Sequence, residues 1–348
     1  MSTKRWITLI VLVAVIGAYW LLRPRRAPLA EAYVAERSAT IWDTTAQVRQ
    51  ELATLKYGEK VVVLERRGGQ ARIRSANGVT GWMDSRFMME PELWKRGAQL
   101  LVQTRSLPVQ ATGRTKVPTN VRAEPGRSGA RLYQFNRDSP VEIFARQAAE
   151  VPAEESAAKD NGDRTAQAEE KKPRREDWVL IRGSASPAPA ISPSTGVPIN
   201  GGGEPIEIAR WSLARFIELT LPEPVRDYAS SSGMRVFAWF ELNRVTDSDG
   251  NKPQYLAVGA RGGEGQACDF TLLRVYTWGS KRRRYETAFV ESEFCGYLPV
   301  RAGTAPNGDP EFRFTALGKQ GREERLYRMR QTVVRRVRES ERPPLKKK

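Results

Sequence analysis

"GWMDSRFM" at residues 81–88 and "RWSLARFI" at 210–217 are near-copies set 129 residues apart. In each, a Trp is followed four residues on by Arg-Phe and then an apolar residue. The resemblance extends upstream. Leu55–Leu64 aligns with Phe135–Phe144 without a gap, Ile73-Arg74 with Ile181-Arg182, and Trp82 with Trp211. The offset grows along the chain because the second copy carries two extra stretches. An internal duplication of this kind constrains the fold before any single element is assigned.

Each copy is a series of short runs of alternating or β-branched character, such as "KVVVLERR", "QARIRS" and "VTGWMDS", divided by "GG" and "ANG". These read as strands and turns. About sixty residues of short strands bury a core only by curling into a small barrel. Gly81 then marks a kinked return strand, and Trp82 and Phe87 are expected to cover one end of the core.

The ordered set "LKYGEKVVVLE", "ARIR" and "GVTGWMDSRFM" resembles the bacterial SH3-like (SH3b) domain. The second copy supplies family pieces that the first lacks, "TNVRAEPG" at 119–126 and "WVLIR" at 178–182. Where the second copy has Trp178, the first has Gln70. The resemblance covers 33–90 well and 116–220 with insertions, and does not reach the last third. It implies binding to peptidoglycan, its peptides or an envelope protein; the chain is expected to be non-enzymatic and to need no cofactor. Such domains use aromatic grooves for extended ligands, which makes Trp42, Tyr57, Tyr133 and Trp178 candidate ligand contacts. The competing expectation is that aromatics of this set are core, above all Trp82, Trp178 and Trp211, which align with positions that such barrels bury.

The rest of the chain divides by composition. Residues 6–22 are uncharged and flanked by Lys4, Arg5 and Arg23, with Trp6, Tyr19 and Trp20 near the ends. This reads as a transmembrane anchor. A cleavable signal peptide is the rival, though three arginines separate the apolar run from the small residues at 30–32. A connector is assigned to 91–115. The second barrel, 116–221, is interrupted at 147–176, which is charged and Ala-rich, and at 184–205, which is rich in Pro, Gly and Ser. Both read as unstructured insertions, either spacers or partner-binding tails. Residues 224–338 read as a separate antiparallel β-domain, either a sandwich or a sheet packed on the second barrel, and 339–348 as a basic tail. The expected fold class is mainly β: an N-terminal transmembrane helix, two small SH3-like barrels and a C-terminal antiparallel domain.

Composition removes several chemistries. The 348 residues include no histidine, so neither Ser-His-Asp nor Cys-His catalysis is available, nor any imidazole metal site. Two cysteines cannot build a thiolate zinc site. "FTLLRVYTW" and "YETAFVES", joined by "GSKRRR", form a hairpin pattern in which Trp278 opposes Tyr285 and Tyr276 opposes Thr287. The same register carried outward sets Phe270 against Glu293 and Cys268 against Cys295, within disulfide range. A bridge there indicates an oxidising compartment; the alternative is two buried thiols. Asp247, Asp249 and Asn251 around Gly250 have the rhythm of a calcium loop, but no bidentate Glu follows and a solvated hairpin turn fits as well.

The formal charge is +17, which favours anionic partners without choosing among them. Arg328, Arg330 and Arg336 form a basic strand face opposite Tyr327, Met329, Val333 and Val337. Anionic lipid or cell-wall polymer is the expected partner if the chain is exported, and nucleic acid is less favoured. The expected placement is a single-pass inner-membrane protein with its soluble part in the periplasm. The alternative function is a cytosol-facing anchored protein that binds nucleic acid with its basic barrels and tail. A carboxylate- or lysine-based enzyme in the C-terminal domain is a third.

Overall fold

The computed structural model describes residues 30–152, 174–185, 190–191, 198–199, 205–248 and 250–337. The chain divides into two compact units, Met1–Pro91 and Glu92–Lys348.

In the first unit, seven strands form one antiparallel sheet: β1 (Ala30–Val34), β2 (Ser38–Trp42), β3 (Glu51–Lys56), β4 (Lys60–Arg67), β5 (Gln70–Ser75), β6 (Thr80–Asp84) and β7 (Met88–Met89). Their order is β3-β2-β6-β5-β4-β1-β7. Alternate residues of six strands, among them Val34, Ile41, Leu55, Val63, Ile73 and Met83, meet in a single core, so the sheet is curled. The period-2 alternation of its strands supplies that inner face.

The second unit opens with a helix, α1 (Pro91–Ser106), and continues with β8 (Ala111–Thr115), β9 (Thr119–Arg122), β10 (Arg131–Phe135), β11 (Pro140–Glu150) and β12 (Arg175–Ala185). Two-residue strands β13 (Ala190–Ile191) and β14 (Pro198–Ile199) pair with each other, and β15 (Ile206–Leu213) and β16 (Ile217–Leu219) complete the run. The order β10-β9-β15-β12-β11-β8-β16 repeats that of the first unit strand for strand. The correspondence reaches fine detail. A β-bulge follows Val63 in β4 and Ile143 in β11, at aligned positions. A single 3-10 turn, Ser85–Phe87 or Ala214–Phe216, joins the last two strands of each copy. The repeated octapeptide is therefore a return strand, its turn and the start of the closing strand. Gly81 is required there: a Cβ would lie 2.4 Å from the carbonyl oxygen of Trp42.

A third sheet follows a second helix, α2 (Glu223–Ser231). Its strands are β17 (Arg235–Asp247), β18 (Gly250–Ala260), β19 (Phe270–Gly279), β20 (Arg284–Thr304), β21 (Pro310–Gly318), β22 (Gly321–Arg330) and β23 (Val333–Arg336), a meander in chain order. One core draws on all seven, including Phe237, Leu256, Phe270, Val300, Phe312, Tyr327 and Val334. On the opposite face α2 places Val225, Tyr228 and Ala229 against Tyr255, Leu272 and Tyr276. Strand β18 is thus buried on both faces, which is why Tyr255–Ala260 is uninterruptedly apolar or small.

Several expectations need correction. The fold class included a transmembrane helix, and the single-pass inner-membrane placement rested on it. Among the described residues no helix is long and apolar enough to cross a membrane. The two helices present are α1, with Glu92, Lys95, Arg96 and Arg105 along it, and α2, with Glu223, Arg226 and Asp227. Residues 6–22 lie outside the described residues. The class is accordingly mainly β, with three seven-stranded sheets and two helices among the described residues, and the inner-membrane placement falls with the helix. The connector at 91–115 proves largely helical. The first insertion is shorter than its composition suggests, because Gln147–Glu150 and Arg175–Trp178 are paired strand; 153–173 lie outside the described residues, as do 186–189, 192–197 and 200–204 of the second, and the tail at 339–348.

Candidate functional site

In the second unit the duplicated sheet is bolted to the third sheet by buried polar groups. Gln110, just before β8, is fully buried. Its Oε1 accepts from Val300 N (2.7 Å) and its Nε2 donates to the carbonyls of Val300 (3.0 Å) and Pro108 (2.9 Å). Its backbone donates to Ile143 O (2.7 Å) and accepts from Trp239 N (3.0 Å). Beside this bolt runs a groove of about 460 Å³, lined by Ala111 and Thr112, by Trp239–Leu242 and by Ala302–Thr304. The Trp239 indole Nε1 is buried without a partner.

A second bolt is ionic. Asp177 on β12 and Arg146 on β11 are both inaccessible, and they pair with each other. Asp177 also accepts from Arg235 Nη1 (2.8 Å) and from Gly265 N (2.8 Å). Arg146 donates to the carbonyls of Cys268 (2.8 Å) and Gln266 (3.1 Å) and lies 3.4 Å from Asp269 Oδ1. Neighbouring Glu176 accepts from Arg127 (2.6 Å) and Arg215 (2.7 Å). Those hydrogen bonds, from Arg127 first, hold its carboxyl at about 2. Burial pushes the Asp269 carboxyl up, against the Leu298 N–H and Arg146 that favour its charge. Every carboxylate in this cluster is engaged by guanidinium or amide donors, so its chemistry is that of a lock between sheets.

Cys268 and Cys295 are joined by a disulfide with a Cα–Cα distance of 5.1 Å, and so lie beside this lock. The hairpin register holds from Gly279↔Arg284 to Tyr276↔Thr287 and then slips at two bulges. Phe270 consequently faces Gly296 instead of Glu293, which itself has a positive φ of 64°.

The other sequence-derived candidates separate clearly. Tyr57, Tyr133 and Trp178 are core residues at 3%, 2% and 2% exposure, so no groove is formed from them. Trp42 is half-buried. Asp247 accepts from the Trp278 indole (2.8 Å), which lowers its pKa, and closes the β17–β18 hairpin opposite Gly250. Asn251 faces Thr246 in the same hairpin, and Asp249 lies outside the described residues. Among the described residues no group of three or more acidic or thiol side chains could hold a metal ion. Arg328, Arg330 and Arg336 line one concavity, together with Arg335, which the sequence reading passed over.

Trp42 has a neighbour that sequence reasoning assigned to the core. In the first unit Trp42 stands opposite Trp82 across β2 and β6, and Trp82 stands opposite Arg72 on β5. Both Trp residues are half-buried, Arg72 and Arg74 are exposed, and the Arg49 guanidinium sits 4.1 Å from the Trp42 ring centre. Met83 and Ile73, next in sequence, fill the core instead. In the second copy the equivalent row is Arg122, Trp211 and Leu180. There Leu180 and Trp178 are buried, where the first copy has exposed Arg72 and half-buried Gln70. The first copy thus sets two half-buried tryptophans among exposed arginines, whereas the second sets one half-buried Trp211 between half-buried Arg122 and buried Leu180.

No family model matches the sequence, and no curated protein matches it. Among solved structures, a NlpC/P60 family protein from Bacillus cereus is similar over 62% of this chain and 65% of its own, just under two thirds, at 11% identity and a TM-score of 0.21. NlpC2 from Trichomonas vaginalis is similar over 85% of this chain and 91% of its own, at 8% identity and a TM-score of 0.16. TM-scores this low establish neither a shared fold nor a shared activity.

Proposed function

We propose that this chain is a non-catalytic binding or scaffold protein of the bacterial cell envelope. The two duplicated units are SH3-like domains, and the first contacts peptidoglycan, its peptides or an envelope protein. The observation that carries the reading is the outer face of the first unit, with Trp42 and Trp82 side by side and Arg49, Arg72 and Arg74 around them. Flat amphipathic rings beside cationic forks suit extended ligands that carry carboxylates. The disulfide supports an oxidising compartment. The lack of histidine in the sequence, the engagement of both cysteines in one bond and the saturation of Glu176 and Asp177 by arginine favour binding over catalysis.

Co-sedimentation with purified peptidoglycan tests this. The protein is expected to pellet with the polymer, and Trp42→Ala/Trp82→Ala to bind at least about tenfold more weakly, since central aromatics dominate such contacts. Equal binding by the variant would overturn the assigned face. Binding to RNA with a steep salt dependence, and none to peptidoglycan, would replace the reading with nucleic-acid binding.

A further inference from the structure

The concavity of about 750 Å³ at the β22–β23 hairpin has a feature that folding alone does not favour. Arg328 and Arg335 are directly opposite each other across the two strands. Like charges so placed destabilise a sheet. On its other side Arg328 faces Glu311, 3.3 Å away, so one carboxylate serves a row of two guanidiniums. The exposed side chain of Arg335 has no hydrogen bond or ion pair among the described residues. The Nε of Arg328 is buried without a partner. Arg330, two residues along the same face, is exposed and only 3.6 Å from Asp309. Asn307, the Asp309 carboxylate, Gln331, Val333, Val337 and Arg336, whose guanidinium donates to Glu323, complete the wall.

We propose that this hollow is an anion site for a phosphate group, held by Arg328 and Arg335 and closed by Arg330. Guanidinium forks match tetrahedral oxyanions bidentately, and a pair of them left short of carboxylate is the arrangement such a ligand satisfies. Bound phosphate turns the Arg328–Arg335 repulsion into shared attraction. The site is independent of the aromatic face of the first unit.

The test uses the full chain at low ionic strength, with pyrophosphate as probe and potassium chloride of matched ionic strength as control. Pyrophosphate is expected to raise Tm where the chloride does not. In Arg335→Gln, the Tm without anion should be unchanged or higher, because the repulsion is gone, while pyrophosphate affinity falls about tenfold or more. Lys319→Gln removes the same charge from an exposed turn and should leave affinity within about twofold. Vesicles with phosphatidylglycerol, compared with phosphatidylcholine alone, separate the two sources of the group. Capture by the former that is lost in Arg335→Gln assigns a lipid headgroup, and pyrophosphate binding without capture assigns a soluble phosphate compound. Equal Tm shifts in pyrophosphate and chloride would overturn the site, as would an equal loss in Arg335→Gln and Lys319→Gln.

Discussion

Replacing Gln110 by Ala removes the amide that satisfies both polar groups of Val300, a residue with no solvent exposure. Each buried group left without a partner costs about 1–3 kcal/mol, so the pair accounts for about 2–6 kcal/mol. The backbone bonds of residue 110 to Ile143 and Trp239 survive in the variant, and the loss is specific to the side chain. Gln110→Glu separates the two halves: the Val300 N–H keeps an acceptor, while the Val300 carbonyl loses its donor and faces a buried charge. It should therefore be at least as damaging as Ala. Urea unfolding gives the global loss, and amide exchange at Val300 gives the local one. The expected result is a fall of at least about 2 kcal/mol for Gln110→Ala, with faster exchange at Val300. A change below about 0.5 kcal/mol, the range of ordinary surface substitutions, with protection at Val300 intact, would refute the bolt.

Two further outcomes follow from the same region. Reducing the Cys268–Cys295 bond, or replacing both cysteines by Ser, should cost about 3–4 kcal/mol in the chain-entropy picture, visible as a lower Tm under reducing conditions. Glu176 has its carboxyl lowered from 4.5 to about 2, so its contribution is complete above about pH 4.5 and is lost as pH falls toward 2. The urea midpoint should accordingly fall with pH across that window, and more shallowly in Glu176→Gln.

The duplication was legible because its markers are side chains of fixed local role: the Trp, the Arg-Phe of the 3-10 turn and the apolar alternation. What failed was parity. Trp82 was expected in the core because it aligns with a position that such barrels bury, yet its neighbour Met83 carries the inward position, and a one-residue difference reverses a strand residue's face. Helix α1 was hidden by Gly97, a poor helix former in mid-helix. Its hydrogen leaves room for the Arg210 guanidinium, whose Nη2 would lie 2.0 Å from a Cβ. The hairpin register was readable to its first bulge, and no residue type announces the positive φ at Glu293. The ionic lock was out of reach because its partners are remote: Arg146 and Asp269 are separated by 123 positions. The basic residues were found as a stretch, but the opposition of Arg328 and Arg335 is a fact of pairing that composition does not contain.

The central claim is that the two copies have parted in use, the first binding through a paired-tryptophan, arginine-rimmed face that the second lacks. Hydrogen exchange of the full chain with and without soluble peptidoglycan fragments tests it most directly. New protection is expected in residues 38–42 and 70–84 and none in 119–122, 178–185 or 206–213. Protection confined to the second copy, or none in either, would contradict it.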